Sequence, residues 1–454
     1  MECFKINSNE VEGRLDCFYY KPEFVELEKR IKRLTSKTLR DYIVNIAGGA
    51  TPDKDESEKY YSDETNGIPF LRVQNLSEEG LNFDNIKFIN TETHNGMLKR
   101  SQVKEGYLLT KITGVGRMAV SSVAPKGFEG NINQHIVAIK TESYKTSEVL
   151  ANFLNSDIGE RLAFRRSTGG TRPALDYEAL KTIPIVFEPK IVSIMQSAFE
   201  QKKQKEQEAD KLLNSMYGFV LDELGIKLPE LKDKKCYSVD SGDIKSRLDP
   251  YYHKPSFLNR YKAIKASKYT VYDFRELLLE VKNGVEIRTY SEKGNRYMRV
   301  TDLGETGIVD HNPRYVFAKE IPERIKLTTK DFLISRSGSL GLVSVVTENM
   351  LNYILSSHIF KITLDFAKLN PFYLQAFLRS NIGQFQFFHN NNGGIIPEIN
   401  QEALKSIKIV VPPLDIQQKI ANEVERRMDE AGKLKSEANN LIDKAKREVE
   451  TLIL

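Results

Sequence analysis

Catalysis would need side chains of the right types at the right spacing, and few in this sequence qualify. Three cysteines, Cys3, Cys17 and Cys236, form neither a CxxC pair nor an even framework, so no disulfide scaffold or thiolate zinc site is expected. There is no GxxxxGK[ST] phosphate loop, no HExxH zinc helix and no GxSxG nucleophile elbow. Gly114-Val115-Gly116 follows an apolar run as a dinucleotide loop would. The third glycine and a well-placed acidic partner are missing, and a turn between strands fits better. His135 and His358 are the histidines that occupy equivalent places in two related segments. Without further ligands at useful spacing a metal role has little support; a structural role in a strand comes first and a nucleic-acid contact second.

Asn370-Pro371-Phe372-Tyr373 is similar to the Asn-Pro-Pro-Tyr/Phe motif of amino-methylating DNA enzymes, but it lacks the second proline and a glycine-rich cofactor motif. A helix start, with Asn370 as cap and Pro371 in the first turn, explains it better. What remains is a set of polar residues where short apolar strands meet turns. In the first half these are Arg72, Gln74 and Asn75; Lys111, Thr113 and Arg117; Asn133, Gln134 and His135. To them is added the loop containing Arg165, Arg166, Thr168, Thr171 and Arg172. The second half offers Arg299, Thr301 and Asp302; Arg336, Ser337 and Ser339; Ser356, Ser357 and His358; and Asn391 and Asn392. Arg, Gln and Asn present paired groups that fit guanine or adenine edges, whereas Ser, Thr, Lys and glycine-rich backbone suit phosphates. Double-stranded DNA is the partner these types point to, with drift of solvated loops as the alternative at any one position.

The elements that must hold these residues are written twice. Phe153 to Pro189 lies on Phe377 to Pro413 at a constant offset of 224 without a gap, with 17 identities in 37 positions, against about two expected from average composition. Upstream, Arg14-Leu15-Asp16 recurs as Arg247-Leu248-Asp249, and Phe70 to Leu76 as Tyr297 to Leu303. Tyr107 to Lys111 is matched to Phe332 to Arg336, and His135-Ile136 to His358-Ile359. Each copy runs from short strands and turns into a helix, Glu148 to Arg166 or Pro371 to Asn390, with Thr146 and Asn370 as expected caps. A glycine turn and a strand ending at Pro189 or Pro412-Pro413 follow, and then a long polar helix. In the second long helix Val424, Ala431, Ala438, Ala445 and Leu452 recur every seven residues, with Met428, Ile442 and Val449 as companions and Lys435 interrupting. In the first, Met195, Ala209 and Met216 share one heptad position and Phe199, Leu213 and Val220 another, with Lys202 and Glu206 intruding. The two helices are expected to pack on each other as a spacer, and Gly225 to Cys236, with the run Lys232 to Lys235, reads as a linker.

The 454 residues carry 67 Lys and Arg against 62 Asp and Glu, a net charge of only +5, which excludes a histone-like basic protein. With 40% hydrophobic and 28% charged residues the chain has packed cores rather than disorder. No 18-residue apolar stretch and no signal-like N-terminus occur, so a soluble cytoplasmic protein is expected.

The duplicated units, the FLRVQNL and YMRVTDL strands, the Ser-Thr-Gly-Gly-Thr-Arg-Pro loop and the Pro-entered segment Val411 to Ile420 together resemble the specificity subunits of type I restriction-modification systems. The resemblance covers essentially the whole chain. Copy two departs from it with Asn-Asn-Gly-Gly-Ile-Ile-Pro in the loop, so Thr171 and Arg172 have no like partner there. An α+β fold is implied, with target-recognition domains at 1–186 and 236–411. Helices in 187–235 and 412–454 would join them as an antiparallel coiled coil with pseudo-two-fold symmetry. Each domain would read half of a split, asymmetric DNA site, and the helices would dock two modification (methyltransferase) subunits. The chain itself would be non-catalytic and bind no cofactor. S-adenosylmethionine would belong to the modification subunits, and ATP with Mg to further restriction and translocase subunits. The rivals are a self-contained DNA methyltransferase with fused recognition units and a coiled-coil adaptor that does not read DNA.

Overall fold

Alternating short apolar strands need a sheet partner to satisfy their backbone, and here each copy builds a four-stranded sheet and a second, mixed sheet, of five described strands in the first copy and three in the second. The computed structural model describes residues 4–6, 11–53, 55–229, 236–240, 242, 244, 248–304, 307–309, 312–317 and 322–454. Cys3, Arg247 and the Lys232 to Lys235 run lie outside them. The chain divides into two compact units, residues 1–205 with 436–454, and residues 206–435. Each long helix therefore contributes part of its length to both units.

In unit one, strands Asn45–Gly48, Ile136–Lys140, Leu108–Lys111 and Ser121–Val123 form an antiparallel sheet in that order. In unit two, Leu278–Asn283, Ile359–Leu364, Asp331–Ser335 and Val343–Val345 repeat it. A second sheet in each contains one parallel pair, Ile68–Leu71 beside Glu129–Ile132, and Asn295–Met298 beside Ile354–Leu355. The register corrects one sequence match. Leu108 pairs with Ile139 and Val123, whereas Phe332 pairs with Ile362 and Val345, so Leu108 answers Phe332 and Lys111 answers Ser335. Arg336 therefore stands in place of Ile112. A slip of one residue exchanges the two faces of a strand, and burial agrees with the corrected register. Leu108 and Phe332 enter the main cores, Leu109 and Leu333 the smaller cores behind them.

The single helix expected after the sheet is two helices in each copy: Tyr144–Asn155 then Asp157–Arg166, and Pro371–Arg379 then Asn381–His389. Ser156 and Ser380 sit between them in extended conformation, and the Ser156 hydroxyl accepts from Gly159 N. The first cap is Ser143 rather than Thr146, because Ser143 Oγ accepts from the Thr146 amide at 3.1 Å. The tight turn explains an identity of the repeat. A Cβ on Gly159 would stand 2.0 Å from the Phe153 carbonyl oxygen, and one on Gly383 2.4 Å from the Leu378 backbone.

The long helices are Lys190–Leu224 and Leu414–Ile453. They run antiparallel. In unit one Lys205 pairs with Glu437, and in unit two Asp210 with Lys435 and Glu223 with Lys419, at 3.2 and 2.9 Å. Ala209, Met216 and Val220 are buried, as are Val424, Ala431, Ala438, Ala445 and Val449. Phe199 and Leu213 are half-buried, and the seam ends on Ile453 while Leu452 is exposed. The first helix stops at Gly225, whose φ of +68 suits the residue that follows a helix C-terminus. The Val411 to Ile420 signature has a packing cause. Buried Gln417 donates to the Lys368 and Pro412 carbonyls, and its Oε1 accepts from Asn370 N at 2.8 Å. No described helix is long and apolar enough to cross a membrane. Replacing Gly383 with Ala should destabilise unit two by about 1–3 kcal/mol through overpacking, read as a lower urea midpoint.

Candidate nucleic-acid interface

Four segments per copy carry the polar residues singled out above, and backbone hydrogen bonds bring all four together. In unit one Asn133 N donates to Leu71 O, Ile112 N to His135 O, Gly114 N to Pro173 O and Leu175 N to Ile112 O, at 2.8–3.1 Å. In unit two Ser356 N donates to Met298 O, Arg336 N to His358 O, Gly338 N to Pro397 O and Ile399 N to Arg336 O, at 2.8–2.9 Å. Gly114 and Gly338 hold φ values of +122 and +81, which glycine adopts without strain. The glycine loop is closed by reciprocal backbone bonds between Thr168 and Ala174 at 2.8 Å, and in unit two by Asn392 N to Glu398 O at 2.8 Å.

The Arg-Val-Gln-Asn and Arg-Val-Thr-Asp segments are one turn made twice. Asn75 Oδ1 and Asp302 Oδ2 accept from the amides of Arg72 and Arg299 at 3.0 and 2.8 Å. Each arginine then reaches a carbonyl thirteen residues on, Asn85 at 2.8 Å or Asn312 at 3.0 Å. Both asparagines have positive φ, 52 and 80. Asparagine is among the few side chains that tolerate this conformation.

The comparisons with known proteins can be set against this geometry. Residues 285–442 match the family described as the type I restriction modification DNA specificity domain. Over that stretch, in the second unit and its long helix, the chain is similar to this domain family. A structure solved for complex assembly and conformational transition of the type I R-M system shares its fold, with 13% identity over 92% of this chain and 95% of that one and a TM-score of 0.52. The S subunit from M. genitalium aligns at 12% identity over 92% of this chain and 94% of that one, TM-score 0.40. The HsdS subunit from Thermoanaerobacter tengcongensis aligns at 13% over 91% and 94%, TM-score 0.36. No curated protein matches the chain in sequence. The family match thus covers part of the chain, and the shared fold covers nearly all of it.

Within the two units, several expected contact residues are spent on the fold. Arg165 and Arg166 are buried against Glu28: Arg165 Nη1 donates to Glu28 Oε2, and Arg166 Nη2 to Glu28 Oε1 at 2.8 Å. Arg165 also lies 4.0 Å over the Tyr19 ring, and Arg166 binds Thr182 Oγ1. Arg117 meets Glu78, Glu160 and Asp157 at 2.8, 2.9 and 3.4 Å. Lys111 is buried with Nζ on the Val115 carbonyl at 2.7 Å, and burial lowers its pKa. Asn75, Asp302 and Asn133 are buried, each accepting from an amide within three residues. Asn391 Oδ1 likewise holds the amides of Gly393 and Glu398. Asn370 caps its helix through Phe372 N and Tyr373 N, and Tyr373 is buried with its hydroxyl on Val410 O, so this segment is a helix start. A desolvated group already holding its partner gains little by trading it for a base or phosphate.

Gln74, Gln134, Thr168, Thr171 and Arg172 are exposed in unit one, with Arg72, Thr113 and His135 half-buried. In unit two Thr301, Ser339, His358 and Asn392 are exposed, and Arg299, Arg336, Ser337 and Ser357 half-buried. Arg336 pairs with Glu398, while Ser356 is buried with its hydroxyl unpartnered. At the loop tips, Thr171 and Arg172 of unit one are answered by Ile395 and Ile396, 102% and 65% exposed. Sequence spacing missed Glu28, which ends up in a charge cluster, and the work of Arg14. The Arg14 guanidinium donates to the carbonyls of Arg166 and Ser167 at 2.8 and 3.1 Å, where the glycine loop begins. The repeated Arg-Leu-Asp tripeptide was the available signal.

Burial would raise the Glu28 carboxyl, but the charge and hydrogen bond of Arg166, with Lys32 and Arg165 beside them, hold it down to about 2 from an ordinary 4.5. A depressed carboxylate stabilises the fold above its unfolded value and loses that as the pH falls. Unit one should therefore lose on the order of 3 kcal/mol between about pH 4.5 and 2. Arg166→Ala, which leaves Glu28 buried and underpaired, should cost about 3–5 kcal/mol at neutral pH. Urea unfolding across this range checks both.

Proposed function

We propose that the chain reads a split, asymmetric site on double-stranded DNA, one half per unit. One observation carries this reading. The same four segments meet through corresponding backbone bonds in both units, yet the exposed side chains they present differ: Gln74 against Thr301, Thr171 and Arg172 against Ile395 and Ile396, with exposed Gln134 answered by half-buried Ser357. A kept frame with altered reading groups suits two half-sites of different sequence. The chain is non-catalytic in this reading and acts in the cytoplasm. Its antiparallel helices dock two modification subunits, which supply S-adenosylmethionine-dependent adenine methylation, and restriction and translocase subunits add ATP- and Mg-dependent translocation and cleavage. In this reading the paired helices set the distance between half-sites.

Exchanging residues 1–186 for the matching region of a relative should change one half of the methylated site in genome-wide methylation sequencing and leave the other intact. A change in both halves would overturn the one-unit, one-half reading. Removing seven residues from each long helix shortens them by about 10 Å, close to three base pairs of duplex. The methylated site should then show an altered spacer. Arg172→Ala should weaken binding of the assembled complex to all DNA sequences alike and reduce the salt slope by about one phosphate contact.

A further inference from the structure

Hydrogen-bonding groups are what a DNA-reading loop needs, and one loop tip offers none. The glycine loop of unit one ends in Thr171-Arg172, and the same place in unit two holds Ile395-Ile396. Backbone bonds beside the tip establish the equivalence. Gly114 N donates to Pro173 O and Gly338 N to Pro397 O, at 3.1 and 2.9 Å; Leu175 N donates to Ile112 O and Ile399 N to Arg336 O, at 2.8 and 2.9 Å. Ile395 is 102% exposed and Ile396 65%. The loop holds them there from below. Asn391 Oδ1 accepts from Gly393 N and Glu398 N at 2.8 and 2.9 Å, and Asn392 N donates to Glu398 O at 2.8 Å. Gly393 lies so close beneath the tip that a Cβ on it would stand 2.1 Å from the Ile396 carbonyl oxygen. The turn is braced at its base, and none of these bonds uses an isoleucine side chain.

Stability does not account for the pair, because an exposed aliphatic side chain gains nothing by burial. Single exposed aliphatics are common. Here two consecutive β-branched residues stand at a tip where the other unit carries a hydroxyl and a guanidinium. Such side chains have few rotamers to lose, so they meet a matching surface at low entropic cost. On a duplex, an aliphatic group gains nothing from a phosphate and has no hydrogen bond to give a base edge. The feature it fits is the C5 methyl group of thymine in the major groove. The other use of an apolar tip is insertion between bases. Opening a step would disturb the stacked edges that exposed Thr301, His358 and Asn392, on the adjoining segments of the same unit, are placed to read.

We propose that Ile395 and Ile396 read thymine through its methyl group in the half-site of unit two. This rests on the reading above that each unit takes one half of the site. The test uses the complex assembled from the full chain and the modification subunits of its system, on the site that methylation sequencing gives. Replacing the thymines of that half-site one at a time by deoxyuridine removes the methyl group and leaves every hydrogen-bonding group in place. At one position or more, uracil should weaken wild-type binding about fourfold, the worth of one buried methyl. Ile395→Ala with Ile396→Ala should weaken binding to the thymine duplex and make thymine and uracil equivalent there, with an unchanged melting temperature. Ile395→Val with Ile396→Val keeps branched methyl groups at the tip and should keep the preference. Uracil in the half-site of unit one should act alike on the wild type and both variants.

A half-site of unit two without an A·T pair, or a uracil penalty that persists in the alanine variant, would overturn the proposal. Bright 2-aminopurine fluorescence in the bound half-site, lost in the alanine variant and joined to no uracil penalty, would make the pair a wedge and overturn the methyl reading. Weaker assembly of the alanine variant with the modification subunits, at an unchanged thymine preference, would turn the tip toward protein and overturn it likewise. A wild-type complex that prefers no DNA sequence defeats the split-site reading itself. One that reads its site and is indifferent to every thymine methyl defeats this proposal alone.

Discussion

Backbone pairing at the ends of short strands is the constraint on which the rest of each unit depends. Strands of two to six residues leave many amides and carbonyls at their ends, and a buried unpaired one costs about 1–3 kcal/mol. Leu108–Lys111 runs out at Ile112, whose amide and carbonyl are taken by His135 and Leu175. In the other copy Arg336 occupies that place and makes both bonds with His358 and Ile399. The bonds use main-chain atoms, so an isoleucine and an arginine satisfy them equally well. The segments meet one another through main-chain atoms, which leaves the exposed tips free to change. A module that must keep its shape while altering what it reads needs that separation.

Below the glycine loop, the two copies solve one burial problem with different chemistry. The end of the second helix must be tied to the start of its unit. In unit one Arg165 donates to the Tyr19 carbonyl and stacks on its ring, while Glu28 receives both Arg165 and Arg166. In unit two His389 donates from Nε2 to the Tyr252 carbonyl at 2.8 Å and stacks on its ring at 4.0 Å. Tyr261 stands in the place of Glu28, its hydroxyl 3.1 Å from His389 Nδ1 and 3.4 Å from Asn390 Nδ2. The three residues changed together because a lone change would strand a buried charge. Unit two avoids burying two arginines with a carboxylate, and the Glu28 cluster makes unit one's fold sensitive to acid.

Much of this was legible in the sequence, and what was not has a physical cause. The repeat fixed the two units, the heptads gave the helix pair, and Asn370-Pro371 gave a helix start that the capping bonds bear out. The strand match slipped by one residue because Leu-Leu and Phe-Leu runs are apolar on both faces, so alternation could not set the register. The break at Ser156 was missed because the apolar spacing continues through it. The contact residues fared least well. Arg165, Arg166 and Arg117 have the composition of a phosphate-binding loop, and only the positions of Glu28, Glu78, Asp157 and Glu160, distant in sequence, reveal that their charges are used inside the chain.

That use of charge gives the small net value a sharper meaning. A count of +5 averages over cations that are not equally available. Arg117 and Arg336 face carboxylates of their own unit, Arg165 and Arg166 share Glu28, and Lys111 is held on a carbonyl, so their donor groups are already engaged inside the chain. Among the candidate positions, Arg172 is the cation that is exposed, and its counterpart in the second unit is Ile396. Phosphate attraction from these loops is thus unequal between the units and weak in total. Affinity grows with the number of phosphates neutralised. What the loop tips do present, in place of cations, is amide, hydroxyl and imidazole groups, which suit discrimination between bases better than attraction to phosphates.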